Sequence, residues 1–268
     1  MKSLRTYLLL IALFSLSLLL VACGGGGEEA ADTDGGESKD GEITKLVAGT
    51  DATYAPMEYI DEDGEIVGIN IDIVNALAEE LGIEVEYRNI GWEPLFPAVD
   101  NGEVDFAVSS ITITEERQKE FDFTDPYYIA NQLILVPEDS DVESFQDLKD
   151  LRVAVQISTT GHEVVQKLLG ETSPQILAAE TMPLAISEMI NGNADAAVGD
   201  NSTVHEYMVN NPDVNVQTIE DDEFEKEYYG LMVKKGNEEV LELLNEGIKL
   251  IKENGKLAEI SGFDMDEE

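Results

Sequence analysis

The chain has 268 residues and carries 16 Lys and Arg against 57 Asp and Glu, a formal net charge of −41. So acidic a protein is repelled by nucleic acid and by anionic lipid surfaces, which excludes partners held through a basic patch. A single cysteine excludes disulfides as staples, and the stretch after residue 42 is long enough for one large domain or two lobes with cores of their own.

At the N-terminus Lys2 and Arg5 precede an apolar run from Tyr7 to Ala22, and the only cysteine, Cys23, follows at once. These are the parts of an export signal in their usual order. The run approaches the ~20 residues that a membrane span needs, but Leu20-Val21-Ala22-Cys23 resembles the bacterial lipobox, whose cysteine becomes the lipid-modified first residue of the mature protein. Residues 1–22 are therefore expected to be a lipoprotein signal peptide and 23–42 a lipidated Cys23 with an acidic, Gly-rich tether. The stretch GGGGEEAADTDGGESKDGE has too little apolar surface to offset the entropy of ordering. Such a coil spans on the order of 25 Å, and a diacylated cysteine supplies the two chains that stable anchoring takes. Cleavage would remove two basic residues and no acid, leaving the mature chain more acidic still. That charge suits a salt-rich habitat, where screening relieves the repulsion; an acidic surface kept for solubility is the alternative.

Strand and helix signals then alternate, which predicts an α/β fold. A strand at Leu46 to Ala48 leads into the loop from Gly49 to Pro56, and a hairpin turns at Glu62-Asp63-Gly64. The spacing of Val74, Leu77, Ala78 and Leu81 predicts a helix over 71–81, stopped by Gly82. A strand from Ile83 to Tyr87, a helix after Pro94 and a strand from Asp105 to Val108 complete the first run. Beyond it Ser109, Ser110 and Thr112 gather before a helix start at Thr114 with Arg117 in its first turn. Hydroxyls, free N–H groups and a guanidinium there suit a small carboxylate, although an ordinary strand-loop-helix connection would look the same.

A second run follows, with a short helix around Leu148, a strand from Arg152 to Val155, a helix over 161–169, a strand near Ile176, a helix over 183–190 and a strand from Ala194 to Val198. Asn101-Gly102-Glu103-Val104-Asp105-Phe106-Ala107-Val108-Ser109-Ser110 aligns without gaps on Asn191-Gly192-Asn193-Ala194-Asp195-Ala196-Ala197-Val198-Gly199-Asp200. Common Asn-Gly turns explain part of the match, but not the pairing of Ser110 with Asp200 at two strand carboxyl ends, where open α/β sheets bind ligands. Two facing lobes would put those residues on opposite walls of one cleft. A return strand over 229–233 and a helix over 238–254 close the first lobe, with crossings near 129–136 and 225–233 as a hinge.

The stretches GTDATYAPMEY (49–59), GINIDIVNALAEELG (68–82), the hydroxyl segment through FDFTDPYY, and DLKDLRVAVQISTT ending at Thr160 resemble bacterial extracellular solute-binding proteins of the polar amino-acid family, the binding components of ABC importers. The resemblance covers residue 43 to the C-terminus. It implies a two-lobed, type II periplasmic-binding-protein-like fold, each lobe a sheet flanked by helices, with residues 43–131 plus 229–268 in lobe 1, 132–228 in lobe 2 and a two-strand hinge. It implies an extracytoplasmic monomer that binds a free amino acid and meets a membrane permease, with no cofactor or metal. The implied clamp is Arg117 and Thr112 for the ligand carboxylate, and Asp200 with Ser110, beside Ser109, for its ammonium. Returning both charges is what dehydrating a zwitterion requires, and the guanidinium offers a planar bidentate fork. Thr159 and Thr160 lie at a helix start whose N–H groups would add to the carboxylate grip; a capping box of Thr160 with Glu163 is the other reading. The ligand side chain would meet Asp51, Tyr54, Trp92 and Gln156, and aromatic plates around a carboxylate suit a cation, although either ring could simply pack in the core. A basic amino acid is the first expectation and glutamine or another polar one the second. Ser158 stands where the family usually has glycine and Trp92 where phenylalanine is commoner, so both changes touch the variable end. His162 is expected on an exposed first turn and His205 on a surface helix, neither functional. Two rivals remain: a dehydratase-like enzyme on the same fold, needing a cleft acid poised to protonate a leaving group, and a ligand sensor for a signalling receptor.

Overall fold

The computed structural model describes residues 43–265; the expected signal peptide, the lipidated Cys23 and the whole tether lie outside the described residues. Chain order begins with β1 (Lys45–Thr50), the hairpin strands β2 (Thr53–Tyr54), β3 (Glu58–Ile60) and β4 (Ile66–Val67), helix α1 (Ile69–Leu81), β5 (Glu84–Asn89), α2 (Trp92–Asn101), β6 (Phe106–Ala107), α3 (Arg117–Glu120) and β7 (Phe121–Phe123). Next come β8 (Tyr128–Ala130), β9 (Gln132–Pro137), a 3-10 turn over Phe145–Asp150, β10 (Val153–Gln156), α4 (Thr160–Leu169), β11 (Ile176–Ala179), α5 (Met182–Ile190), β12 (Ala196–Asp200), α6 (Asn201–Asn210) and β13 (Val216–Ile219). The chain ends with β14 (Glu227–Tyr229), β15 (Met232–Lys234), α7 (Glu238–Glu253) and α8 (Lys256–Ser261).

Two five-stranded sheets share one topology, β5-β1-β6-β15-β7 and β11-β10-β12-β9-β13. In each, three parallel strands are joined by helices, and a fourth strand from across the molecule pairs antiparallel on the far side. This is the two-lobed α/β arrangement the resemblance implies. The chain passes between the sheets through β8 and returns through β14, which pair antiparallel from Ala130↔Glu227 to Tyr128↔Tyr229. Leu77, Val74, Leu244, Ile248 and Ile251 are buried where α1 packs on α7, so the C-terminal helix seals the first lobe.

The repeated Asn-Gly-to-Asp segment has a structural cause in both lobes. Gly102 and Gly192 adopt φ of 74° and 75°, the left-handed turn that lets a helix reverse into a strand. Asp105 then accepts the Val47 N–H at 2.7 Å, and Asp195 accepts the Arg152 N–H at 2.9 Å. Each aspartate so pins the start of the neighbouring parallel strand, and the register carries the next residues to the sheet's carboxyl edge.

Three of the departures from the pattern-based expectation have a clear local cause. α2 begins at Trp92, ahead of Pro94, because the first-turn N–H groups have no helical partners and a proline there loses nothing. The return strand over 229–233 is two strands, since Gly230 leaves the ladder to donate its N–H to the Ile111 carbonyl. α4 begins at Thr160 with Thr159 as its cap, the Thr159 hydroxyl accepting the His162 N–H, so the Thr160–Glu163 capping box does not form.

Candidate functional site

Where the carboxyl edges of the sheets face each other, Asp51, Tyr54, Glu58, Trp92, Ser109, Ser110, Thr112, Arg117, Gln156, Thr159, Thr160 and Asp200 line a cavity of about 330 Å³. This set contains every side chain expected from the sequence to touch a ligand, plus Glu58. The walls meet directly: Gln156 Nε2 is 3.4 Å from Asp51 Oδ2, and Arg117 reaches the Ser158 carbonyl at 3.4 Å.

Arg117 is anchored on three sides. Its Nη1 donates to the Thr112 carbonyl at 2.9 Å, and the guanidinium lies 5.4 Å from the Trp92 ring and 5.6 Å from the Phe96 ring. Its backbone N–H donates to the Thr114 hydroxyl, although the helix expected to start at Thr114 begins only at Arg117. Burial lowers the Arg117 pKa from its ordinary value, against the charges of Glu163, Glu227 and Asp200. Trp92, expected in a loop, opens a helix instead; its indole N–H is buried without a partner among the described residues and so keeps a donor in the cavity wall.

Asp200 closes β12 on the opposite wall and is a crowded acceptor. Its oxygens take the amide of Gln132 at 2.5 Å and the hydroxyl of Tyr229, and Tyr54 also hydrogen-bonds to it. Tyr54 therefore serves the Asp200 end of the cavity as well as lining it. Burial first, and the Glu227 charge second, push the Asp200 carboxyl up to about 6, against those hydrogen bonds.

Asp51 is buried at the end of β1, with its backbone N–H held by Ser109 Oγ at 2.9 Å. Burial raises its pKa despite hydrogen bonds from Thr53 and Gln156. Beneath it Glu58 is fully buried and accepts from Asn70 at 2.6 Å, Ser110 at 3.2 Å and Ser109 at 3.4 Å. Burial drives the Glu58 carboxyl well above the usual carboxylate range, against the hydrogen bonds it accepts, and so favours its neutral form.

Two non-glycine residues at the cavity have left-handed backbones, Ser110 with φ of 50° and Ser158 with φ of 61°. At position 158 the resemblance leads to an expectation of glycine, the residue that adopts such a backbone without strain. His162, expected to be exposed, is half-buried, and its Nδ1 accepts the Ser158 N–H at 3.1 Å, so the ring props that turn. His205 is exposed on α6, as expected.

Of the residues that sequence reasoning missed, Glu58 lines the cavity and the others stand behind its wall. Glu227 of β14 accepts the Thr112 and Thr160 hydroxyls at 2.7 and 2.8 Å and the Gln132 amide at 3.1 Å. Phe96 backs the arginine and Tyr229 the aspartate. Glu58 could have been noticed as an acid inside GTDATYAPMEY; Glu227 sits in the acidic run 220–227, which looks like solvated surface.

Residues 46–262 match the model of "bacterial extracellular solute-binding proteins, family 3". A Neisseria gonorrhoeae protein named a probable histidine-binding protein is 36% identical over 250 residues, covering 93% of this chain and 91% of its own. The crystallised arginine-, lysine-, histidine-binding protein ArtJ of Geobacillus stearothermophilus superposes with a TM-score of 0.78 at 44% identity, over 81% of this chain and 93% of that one. An ancestral amino-acid-binding protein, described as a precursor of cyclohexadienyl dehydratase, superposes at 0.72 with 36% identity over 81% of this chain and 93% of its own. The chain belongs to family 3 of the bacterial extracellular solute-binding proteins.

Proposed function

We propose that this protein captures a basic α-amino acid outside the cytoplasmic membrane and delivers it to the permease of an ABC importer. The observation that carries the choice is the cavity's charge inventory. With burial favouring the neutral form of Glu58, Asp51 and Asp200 are the acids left to face Arg117 among the lining residues. A ligand with one carboxylate, one ammonium and a cationic side chain leaves no charge unanswered, whereas glutamine would strand the buried Asp51. In this reading Arg117, with N–H groups of the Thr112 segment and of the α4 start, holds the carboxylate. Asp200, Tyr54 and Ser110 surround the ammonium, Ser109 holds the Asp51 loop, and Gln156 and Trp92 flank the side chain. The relatives named for arginine, lysine and histidine support the same choice.

Binding begins on the first lobe, which contributes Asp51, Tyr54, Trp92 and Arg117, and the second lobe closes over it with Gln156, Thr160 and Asp200. The closed pair of lobes is the form the permease meets. Cys23 carries the lipid that keeps the monomer at the membrane; Cys23→Ser would free the protein from the cell, and retention of that variant would contradict the anchor.

The test is a thermal-shift screen against the twenty amino acids. Ligand at 1,000 times Kd adds about 4 kcal/mol, a plain shift in Tm. Arg117→Ala should abolish the response to arginine, lysine or histidine while the unliganded protein melts as before; surviving micromolar affinity would show the clamp is assigned wrongly. The dehydratase-like reading draws on Asp200, whose carboxyl near 6 could donate a proton. Its three hydrogen-bond donors favour the ionised acceptor instead, and recovery of the bound amino acid unchanged is the outcome expected.

A further inference from the structure

We infer that Glu227 is a positioning residue that braces the closed form, joining the carboxylate ends of the two lobes through a single side chain. The inference rests on the ligand-capture reading above. Thr112 belongs to the segment after the first sheet's β6 and Thr160 opens a helix of the second, yet both hydroxyls donate to the same oxygen, Oε2, at 2.7 and 2.8 Å. The other oxygen takes the amide of Gln132, the first residue of β9, at 3.1 Å. Glu227 itself begins the strand by which the chain returns between the sheets. One carboxylate therefore touches both lobes and a crossing strand, and opening the cleft must pull at least one threonine away from it.

The proton count sharpens the role. A threonine hydroxyl has one proton, and each is given to Glu227. Neither side chain then has a hydrogen left for a ligand carboxylate, so in the closed form that carboxylate is held by Arg117 and backbone N–H groups, while the two hydroxyls hold the lobes. Glu227 is absent from the cavity lining and lines a separate surface cleft with Thr112, Thr160 and Gln132. It acts through the wall without touching the ligand. The price is a second acid near Asp200, whose pKa the Glu227 charge helps to raise and whose carboxylate shares the same Gln132 amide. An incoming ammonium relieves that repulsion, which ties closure to occupancy.

A brace made only after closure slows release and leaves capture alone. For Glu227→Ala, stopped-flow binding of arginine, lysine and histidine should show koff raised about tenfold or more, the worth of one charge-assisted hydrogen bond, with kon within about twofold of wild type. Glu227→Gln keeps an oxygen for the hydroxyls and should fall between. Thr112→Val and Thr160→Val should be non-additive in koff in the wild type and additive in the Glu227→Ala background, which a merely structural glutamate would not produce. Wild type binding no amino acid would overturn the ligand reading and the brace with it. Normal wild-type binding with unchanged koff in Glu227→Ala, or an effect confined to kon, would overturn the brace alone.

Discussion

Acidification should weaken ligand binding by an amount set by Asp200. Its carboxyl sits near 6, raised by burial and by the Glu227 charge, with Tyr229, Tyr54 and Gln132 donating to it. On the proposed reading the ligand ammonium needs the ionised form, so occupancy pulls this pKa back toward or below the ordinary carboxylate range near ~4. A raised value in the empty protein means the group takes up a proton as pH falls through about 6, and binding must expel it. At about pH 5 some 90% of empty molecules carry that proton. Each binding event then releases ~0.9 proton and Kd rises about tenfold relative to pH 7.5, close to 1.4 kcal/mol. Asp51, also raised by burial, adds in the same direction for a cationic ligand. Isothermal titration in two buffers of different ionisation heat measures the proton number directly. Repeating it with Asp51→Asn separates the two aspartates. A proton number near zero at pH 5 together with an unchanged Kd would show that Asp200 is not the ammonium's counter-ion.

Asp51→Asn should cost arginine or lysine about a hundredfold or more in affinity while sparing glutamine. A counter-charge ~4 Å away is worth up to ~4 kcal/mol at an effective dielectric constant near 20, before desolvation is subtracted; equal losses for charged and neutral ligands in calorimetry would place the side-chain pocket elsewhere. Ser158→Gly, at φ of 61°, should stabilise the protein by about 1 kcal/mol and raise Tm by ~2–4 °C, since the left-handed backbone strains any residue with a Cβ. A fall in Tm would mean that the Ser158 hydroxyl, 3.4 Å from Glu93, matters more than the backbone. Molar salt should raise Tm, because 57 acids face 16 bases and screening shortens from ~10 Å at 0.1 M to ~3 Å at 1 M; a flat profile would favour acidity kept for solubility.

The fold was legible wherever local chemistry decides conformation. The stripe Val74, Leu77, Ala78 and Leu81 ending at Gly82 is one helix, and the two Asn-Gly segments are two matching turns because a left-handed residue is needed at both. Legibility failed where the partner is distant. Nothing beside Tyr229 and Met232 says that Gly230 must leave the ladder to reach Ile111, more than a hundred residues earlier. Nor does the surrounding sequence show that His162 will turn inward to a backbone N–H.

The cavity was legible for a related reason. Its lining comes from strand ends and helix starts, and on the proposed reading its residue types answer a zwitterion's charges, so Asp, Arg, Ser and Thr advertise themselves at those places. The layer behind answers to other constraints. Glu58 is read as hairpin surface until Asn70, Ser109 and Ser110 are seen to enclose it, and Glu227 as acidic surface until Thr112 and Thr160 converge on one of its oxygens. Both act by long-range pairing, the part of the energetics that a one-dimensional pattern encodes least. If the brace holds, the residues that decide how long a ligand stays are in that rear layer, while those that decide which ligand enters are in the front one. Affinity and specificity could then change separately, Glu227 altering the first and Asp51 the second.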